Sequence, residues 1–291
     1  GRMIPGRCAS CSIFTGMTSS VFLNLQLARM FSHLLDTRAA RIIPRIRNYM
    51  NGIGRKEVFI DALRKHADVV VTLTRWYRQI LLVNNISENQ LTHIPQVSPE
   101  IKISNTGGGK REGYVYIGRI DEKKGIDIIL GLAGKLKAEM PGAFIDIYGP
   151  IYGPYYAEAG NKKKSFRYLN QYDNIRYKGI IDPEKVLSVM NRYKLVILPS
   201  LVAEMAPLIV MEANALRVPV VVSDVPGSAE LIKEYDCGFI FRYNSPADLF
   251  DKIRLAETSA GKLAFRQPAE NNFYSVAGKY EQVYSRLISK Q

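Results

Sequence analysis

The chain has 291 residues, 47% hydrophobic and 23% charged, with 22 glycines, 14 prolines and only three cysteines. These values exclude collagen-like, wholly disordered and disulfide-framework proteins, and neither a run of 18 apolar residues nor a signal-peptide pattern is visible. The formal charge of +13 favours polyanionic partners, and nucleic acid, anionic lipid and phosphorylated small molecules all qualify.

The excess charge is uneven. Residues 1–112 carry 16 basic and 7 acidic side chains, whereas 113–291 carry 24 and 20. Cys8 and Cys11 form a Cys-x-x-Cys pair near the start, but no second pair or nearby histidine completes a zinc site. Thiols this few fit a reducing compartment, and the chain is expected in the cytoplasm. From Val21 to about Tyr49 the pattern is helical, broken or kinked at Pro44. Arg29, Arg38, Arg41, Arg45 and Arg47 accompany Phe22, Leu27, Phe31 and Ile42 there. Such helices either lie on an anionic membrane surface or pack on their own domain with the arginines in water. Asp68–Thr74 reads as a strand, Arg75–Asn84 as a helix and Gln90–Pro95 as a short strand. These amount to a partial α/β domain over 1–105, followed by a polar, glycine-rich linker at 106–113.

From residue 114 the pattern becomes regular. Apolar runs at Tyr114–Gly118, Ala143–Gly149, Asn174–Gly179, Lys194–Ser200, Pro219–Asp224 and Cys237–Tyr243 alternate with helical stretches such as Ile126–Met140 and Pro183–Tyr193. Runs such as Val196-Ile197-Leu198 are apolar on successive residues, which suits strands of a parallel sheet covered on both faces. The prediction is a doubly wound α/β domain over 114–270, with ligands beyond the carboxyl ends of its strands. A last helix over 271–291 carries Val276, Tyr280, Val283, Tyr284 and Leu287 on one stripe.

Two segments of this domain can carry chemistry. Gly118-Arg119-Ile120-Asp121-Glu122-Lys123-Lys124-Gly125 joins its first strand to its first helix and places two cations, Arg119 and Lys124, where a helix N-terminus is also positive. An arginine fork and a mobile lysine suit a diphosphate. The same residues also fit a solvated turn in which Asp121 and Glu122 neutralise the cations. The second segment, Glu204-Met205-Ala206-Pro207-Leu208-Ile209-Val210-Met211-Glu212, follows the strand at 194–200. It puts Pro207 in the first turn of a helix and Glu212 in the second. Carboxylates there are natural acceptors for vicinal sugar hydroxyls, or simply surface charges.

In combination these motifs resemble the family 4 retaining glycosyltransferases, the group with the GT-B fold. The resemblance rests on Gly118-Arg119 with Lys124, on Glu204 and Glu212 followed by Ala213-Asn214-Ala215, and on Pro219-Val220-Val221. Glu230-Leu231-Ile232 ahead of Gly238-Phe239-Ile240-Phe241 completes it. It implies a GT-B fold with a complete C-terminal Rossmann-like domain, a shortened N-terminal acceptor-side domain, and a final helix that crosses back to the latter. It further implies that Arg119 and Lys124 hold the diphosphate of a nucleoside-diphosphate sugar, Glu204 the donor sugar and Glu212 the ribose. Gly118 and the backbone of Met205, Ala206, Pro207 and Leu208 would line the same donor site.

The reaction implied is glycosyl transfer with retention to a glycan or lipid-linked acceptor, without cofactor or obligatory metal, by a cytoplasmic enzyme that contacts the membrane peripherally. Homo-oligomers are compatible with a shortened domain. Met205, Ala206 and Pro207 stand where the family has glycines, and Arg217 replaces a glycine before the Pro-Val-Val strand. His33, His66 and His93 match no acceptor-side histidine. A second reading is a non-catalytic nucleotide-sugar-binding module or partner subunit. Nucleic-acid binding is disfavoured, because aromatics do not interleave with the basic run.

Overall fold

The computed structural model describes residues 57–97, 110–152 and 172–289. Cys8, Cys11, His33, the basic segment from Val21 to Tyr49, and residues 98–109, which include the first part of the expected linker, lie outside the described residues. The chain divides into two compact units, Gly1–His93 with Leu287–Gln291, and Ile94–Arg286.

In the first unit α1 (57–66) precedes β1 (Val70–Thr72), α2 (Arg75–Val83) and β2 (Leu91–His93). β1 and β2 pair in parallel, with Val70 opposite Leu91, so β1-α2-β2 is one strand–helix–strand unit. The Thr74 hydroxyl starts α2 by accepting the Tyr77 N–H at 3.2 Å. Ile60, Leu81, Ile86 and Leu91 form its small core. His66 closes α1, and His93 closes β2 with Nδ1 3.0 Å from the Thr72 carbonyl oxygen.

The second unit is built on six parallel strands. β3 (Tyr114–Ile117), β4 (Ile145–Tyr148), β5 (Ile175–Gly179), β6 (Leu195–Leu198), β7 (Val220–Ser223) and β8 (Gly238–Phe241) follow in chain order. All six fall within the expected runs, a residue or two shorter at most ends. Their order across the sheet is β5-β4-β3-β6-β7-β8. The chain therefore starts in the middle, winds outward to β5, and returns to the other side of β3. That reversal between β3 and β6 is a topological switch point, where adjoining loops part and leave a crevice.

Helices cover both faces. α3 (Ile126–Glu139), α4 (Val186–Met190), α5 (Leu208–Ala215), α6 (Ser228–Tyr235) and α7 (Pro246–Ser259) link or follow the strands. β6 and β7 are buried at every position, which explains their continuous apolar sequences. α3 buries Ile126, Ile128, Ile129, Leu130, Leu132, Ala133 and Leu136, because it packs against both the sheet and α7. Cys237, just before β8, is fully enclosed, and burial pushes its thiol up to about 12. It is accordingly a poor nucleophile.

Asp146, the one acid inside a strand among the described residues, is a structural clamp. Its carboxylate accepts Nε and Nη2 of Arg176, its register partner on β5, at 2.5 and 2.9 Å, and the Tyr193 hydroxyl at 2.7 Å. The same contact alters an expected element. Pro183–Tyr193 is not one helix but a 3-10 turn, Pro183–Lys185, followed by the five-residue α4. The Arg192 and Tyr193 N–H groups bond three residues back, tightening the end as the Tyr193 ring turns toward Asp146. The last helix, α8 (Phe273–Ile288), buries Val276 and Val283. Tyr284 departs from the expected stripe: it is exposed, about 100° around the helix from Val283, and stacks on Tyr280. Among the described residues no helix is long and apolar enough to cross a membrane.

Candidate functional site

Both motif-bearing loops leave the carboxyl ends of the two strands that flank the switch point. The first follows β3. Gly118 and Arg119 lead to Ile120, which continues the sheet by a bridge to Ile151, and the buried Tyr116 hydroxyl donates to the Arg119 carbonyl oxygen. Asp121 then caps a 3-10 turn, Glu122–Lys124, by accepting the Lys124 N–H at 3.0 Å. Gly125 ends that turn with φ +73 and passes under the β6 loop. A Cβ there would stand 1.9 Å from the Pro199 carbonyl oxygen.

The second loop follows β6. Ser200 is fully buried, and the Ser223 hydroxyl from β7 donates to its carbonyl oxygen. The Leu201 N–H donates to the Lys123 carbonyl oxygen at 2.7 Å, stitching the two loops together. Glu204 is fixed through its own backbone, its N–H bonding the Pro226 carbonyl oxygen at 3.0 Å. Gly227 lies against its carbonyl. Ala206 follows with φ +72, a left-handed conformation that glycine enters freely and alanine at a cost of about 1–2 kcal/mol. The glycine-like turn thus survives the change of residue. Pro207 sits one position earlier than expected, as the extended residue before α5, since its ψ of 119° is not helical.

The loops bring Lys124 and Glu204 together. Lys124 Nζ lies 2.6 Å from Glu204 Oε1, with the two side chains only 20% and 15% exposed. Ser200 Oγ donates to the same oxygen at 2.5 Å. Oε1 is therefore occupied twice, while among the described residues Oε2 and two of the three ammonium protons have no partner. Arg119 behaves differently. Its guanidinium is 59% exposed and, among the described residues, reaches only Asp121, at 3.6 Å. Of the two alternatives for this loop, neutralisation within the turn thus applies to Arg119 but not to Lys124. Met205 and Leu208 are exposed beside Glu204, Ala206 is buried, and Gly118 is partly open.

Glu212 lies in the second turn of α5, half-buried and without a hydrogen-bond or ion-pair partner among the described residues. Burial raises its carboxyl above the ordinary value of 4.5. A raised acid binds its proton more tightly folded than unfolded, so ionising Glu212 opposes folding as pH rises through that raised value. No contact joins Glu212 directly to Lys124, Glu204 or Arg119; the loop and first turn of α5 connect them.

Ser200 and Gly227 are the supports of these loops that sequence reasoning missed, whereas Asp121 and Gly125 belong to the segment it singled out. Ser200, as the polar residue ending an apolar strand, was the one with a local signal. Among the described residues no group of three or more His, Cys, Asp or Glu side chains is placed to hold a metal ion.

Residues 98–272 match the family described as glycosyl transferases group 1. No curated protein is matched by the chain. Among solved structures, a TarM variant of S. aureus in complex with fondaparinux, α-GlcNAc-glycerol and UDP is 23% identical, with a TM-score of 0.60 over 79% of this chain and 46% of that one. Sucrose-phosphate synthase from Thermosynechococcus elongatus is 20% identical, with a TM-score of 0.61 over 82% and 63%. HepE of Anabaena in complex with UDP-glucose is 16% identical, with a TM-score of 0.62 over 80% and 66%. The chain thus spans between about half and two thirds of the length of these structures, and at such identities the likeness concerns the fold.

Proposed function

The chain belongs to the group 1 glycosyltransferases and has their GT-B-type Rossmann-like domain, and from that premise we propose that it transfers a sugar from a nucleoside-diphosphate sugar, with retention and without an obligatory metal, to a glycan or lipid-linked acceptor. The observation that carries this reading is the convergence of Lys124, Glu204 and the exposed Arg119 on the switch point between β3 and β6. Open parallel sheets take their ligands at that point.

The roles proposed for the individual residues are supported by their geometry. Arg119 and Lys124 hold the diphosphate. As the bond from the sugar C1 to the diphosphate oxygen breaks, negative charge collects on the leaving phosphate, and fixed cations stabilise it without reorganising. Lys124 does so without leaving Glu204, since its ammonium has donors to spare. Glu204 accepts a donor-sugar hydroxyl through Oε2. That is one oxygen rather than the bidentate grip a free carboxylate would offer. Glu212 accepts the ribose hydroxyls, which restore to its buried carboxylate the partners it lacks. Gly118 and the backbone of Met205, Ala206, Pro207 and Leu208, at the α5 N-terminus, face the phosphates and sugar. A lipid-linked acceptor would meet the protein at the cytoplasmic membrane face, through the basic segment before Tyr49.

The reaction is tested with water as acceptor. Proton NMR of the protein with α-linked UDP- and GDP-sugars, in EDTA, is expected to show slow release of free sugar whose α-anomer appears first. Arg119→Ala should slow that release by a factor of about 30–1000, the equivalent of roughly 2–4 kcal/mol of transition-state stabilisation. Initial appearance of the β-anomer would contradict retention. Nucleotide binding with no release from any donor would replace the enzyme by a nucleotide-sugar-binding module.

A further inference from the structure

A cavity of about 410 Å³ opens at the opposite edge of the same sheet, beside Tyr114 at the start of β3, Leu195 at the start of β6 and Pro219 before β7. None of the residues discussed above as a donor site lines it. Three cations, Arg111, Lys194 and Arg217, face one carboxylate, Glu257.

The cations are not equivalent. The Arg111 guanidinium is spent on the fold, donating to the Asn191, Leu216 and Arg217 carbonyl oxygens and to Asn191 Oδ1 at 2.7–3.2 Å. Lys194 lies 3.0 Å from Glu257 Oε2, and the Tyr114 hydroxyl donates to Oε1 at 2.9 Å, so the carboxylate is fixed from two sides. Arg217 has no side-chain partner among the described residues, and its guanidinium is exposed.

Its backbone makes Arg217 unusual. Its φ is +51, in the left-handed region, where glycine would carry no strain. Hydrogen bonds from its N–H to Asn214, from the Val218 N–H to Ala213, and from Arg111 to its carbonyl lock that conformation. The fold therefore bears the strain of a side chain here and draws no hydrogen bond or ion pair from it among the described residues. Left-handed backbone is common one residue past a helix C-terminus, where glycine is the usual occupant, so what marks this position is an arginine kept at the cavity in place of glycine. Across the cavity Phe265 is also left-handed, with φ +48, and its N–H bonds the Asp236 carbonyl oxygen at 3.2 Å. Two locked, strained residues thus line one cavity, an arginine and an aromatic ring, with Leu195 and Pro219 adding apolar wall.

We propose that this cavity is a second anion site, which takes a phosphate monoester borne on a flat apolar group, with Arg217 and Lys194 on the phosphate and Phe265 against the apolar part. A dianion matches the excess of two positive charges, and an arginine fork matches phosphate oxygens. The site is independent of the donor reading and is separated from that site by the length of the strands.

Phenyl phosphate serves as the probe and the melting temperature as the readout. At about ten times its dissociation constant the probe is expected to raise the melting temperature by about 3 °C. Arg217→Gly should melt higher than the parent in buffer, because the strain is gone, and should lose the rise on adding the probe. Arg119→Ala, altered at the other edge, should keep it. Inorganic phosphate should give a smaller rise, and an equal one would overturn the apolar half of the proposal. No rise in the parent, or the same rise in Arg217→Gly, would overturn the site itself. A rise lost in Arg119→Ala but kept in Arg217→Gly would also overturn it, by assigning the anion to the donor edge.

Discussion

Glu204→Gln and Lys124→Ala are expected to move the affinity for a nucleoside diphosphate in opposite directions, although they remove the two halves of one ion pair. The glutamine keeps acceptor contacts to Lys124 and Ser200 but withdraws the negative charge 2.6 Å from the ammonium. Lys124 then faces the diphosphate uncompensated, and affinity should rise, by up to about tenfold, or roughly 1.4 kcal/mol. Transfer should nevertheless fall about 100-fold or more, since the neutral amide is a weaker acceptor for the sugar hydroxyl as charge develops. Lys124→Ala does the reverse. It leaves Glu204 as an unpaired, largely enclosed carboxylate facing an anion, and removing one partner of such a pair costs about 3–5 kcal/mol. Diphosphate affinity should fall by at least about 100-fold. Calorimetric titration of both variants with one nucleoside diphosphate distinguishes them. Equal losses in the two would mean that Glu204 does not lie beside the phosphates.

The second large effect concerns backbone rather than charge. Gly227 has φ +86, and a Cβ there would stand 1.7 Å from the Glu204 carbonyl oxygen, well inside van der Waals contact. Neither atom is the tip of a flexible side chain. Gly227→Ala can be accommodated only if the turn bearing Glu204 and Ala206 moves, and that turn is already strained at Ala206. Urea unfolding should show a loss of about 3 kcal/mol or more, and transfer should fall to background with it. Gly134, on the outer face of α3, makes the comparison. Nothing lies within 4 Å of its added Cβ, so Gly134→Ala should gain about 0.5–1 kcal/mol and leave transfer intact. A Gly227→Ala protein of parental stability and activity would show that the turn is not held as described.

These two cases also mark where sequence reading succeeds and where it stops. The strands of the sheet are legible because burial on both faces requires unbroken apolar runs, as at Val196-Ile197-Leu198 and Val220-Val221-Val222. The motif loops are legible because polar, glycine-bearing segments follow such strands. What links the loops is not legible. Lys124 and Glu204 are 80 residues apart, and their pairing depends on the strand order that puts β6 beside β3. Gly227 belongs to a third loop and acts through a carbonyl that no local pattern reveals. Ala206 and Arg217 illustrate the opposite case. Both occupy positions where the family resemblance leads one to expect glycine, and both keep glycine's left-handed backbone. The hydrogen bonds that close the end of α5, with one from Arg111, impose the conformation at Arg217, whatever side chain the sequence supplies. The short α4 and the exposed Tyr284 were lost for a related reason, since a stripe or a proline signal does not show which neighbours an element will meet.

The central claim is that the crevice between the β3 and β6 loops holds a nucleoside-diphosphate sugar. Its most direct test is a calorimetric titration of the intact protein, in EDTA, with UDP, GDP and their sugar conjugates, repeated on Arg119→Ala. The account predicts saturable binding of one nucleotide and its conjugate, weakened at least about 30-fold in the variant, as loss of about 2 kcal/mol of charge-assisted contact requires. Equal binding to parent and variant, or no binding of any nucleotide, would contradict it.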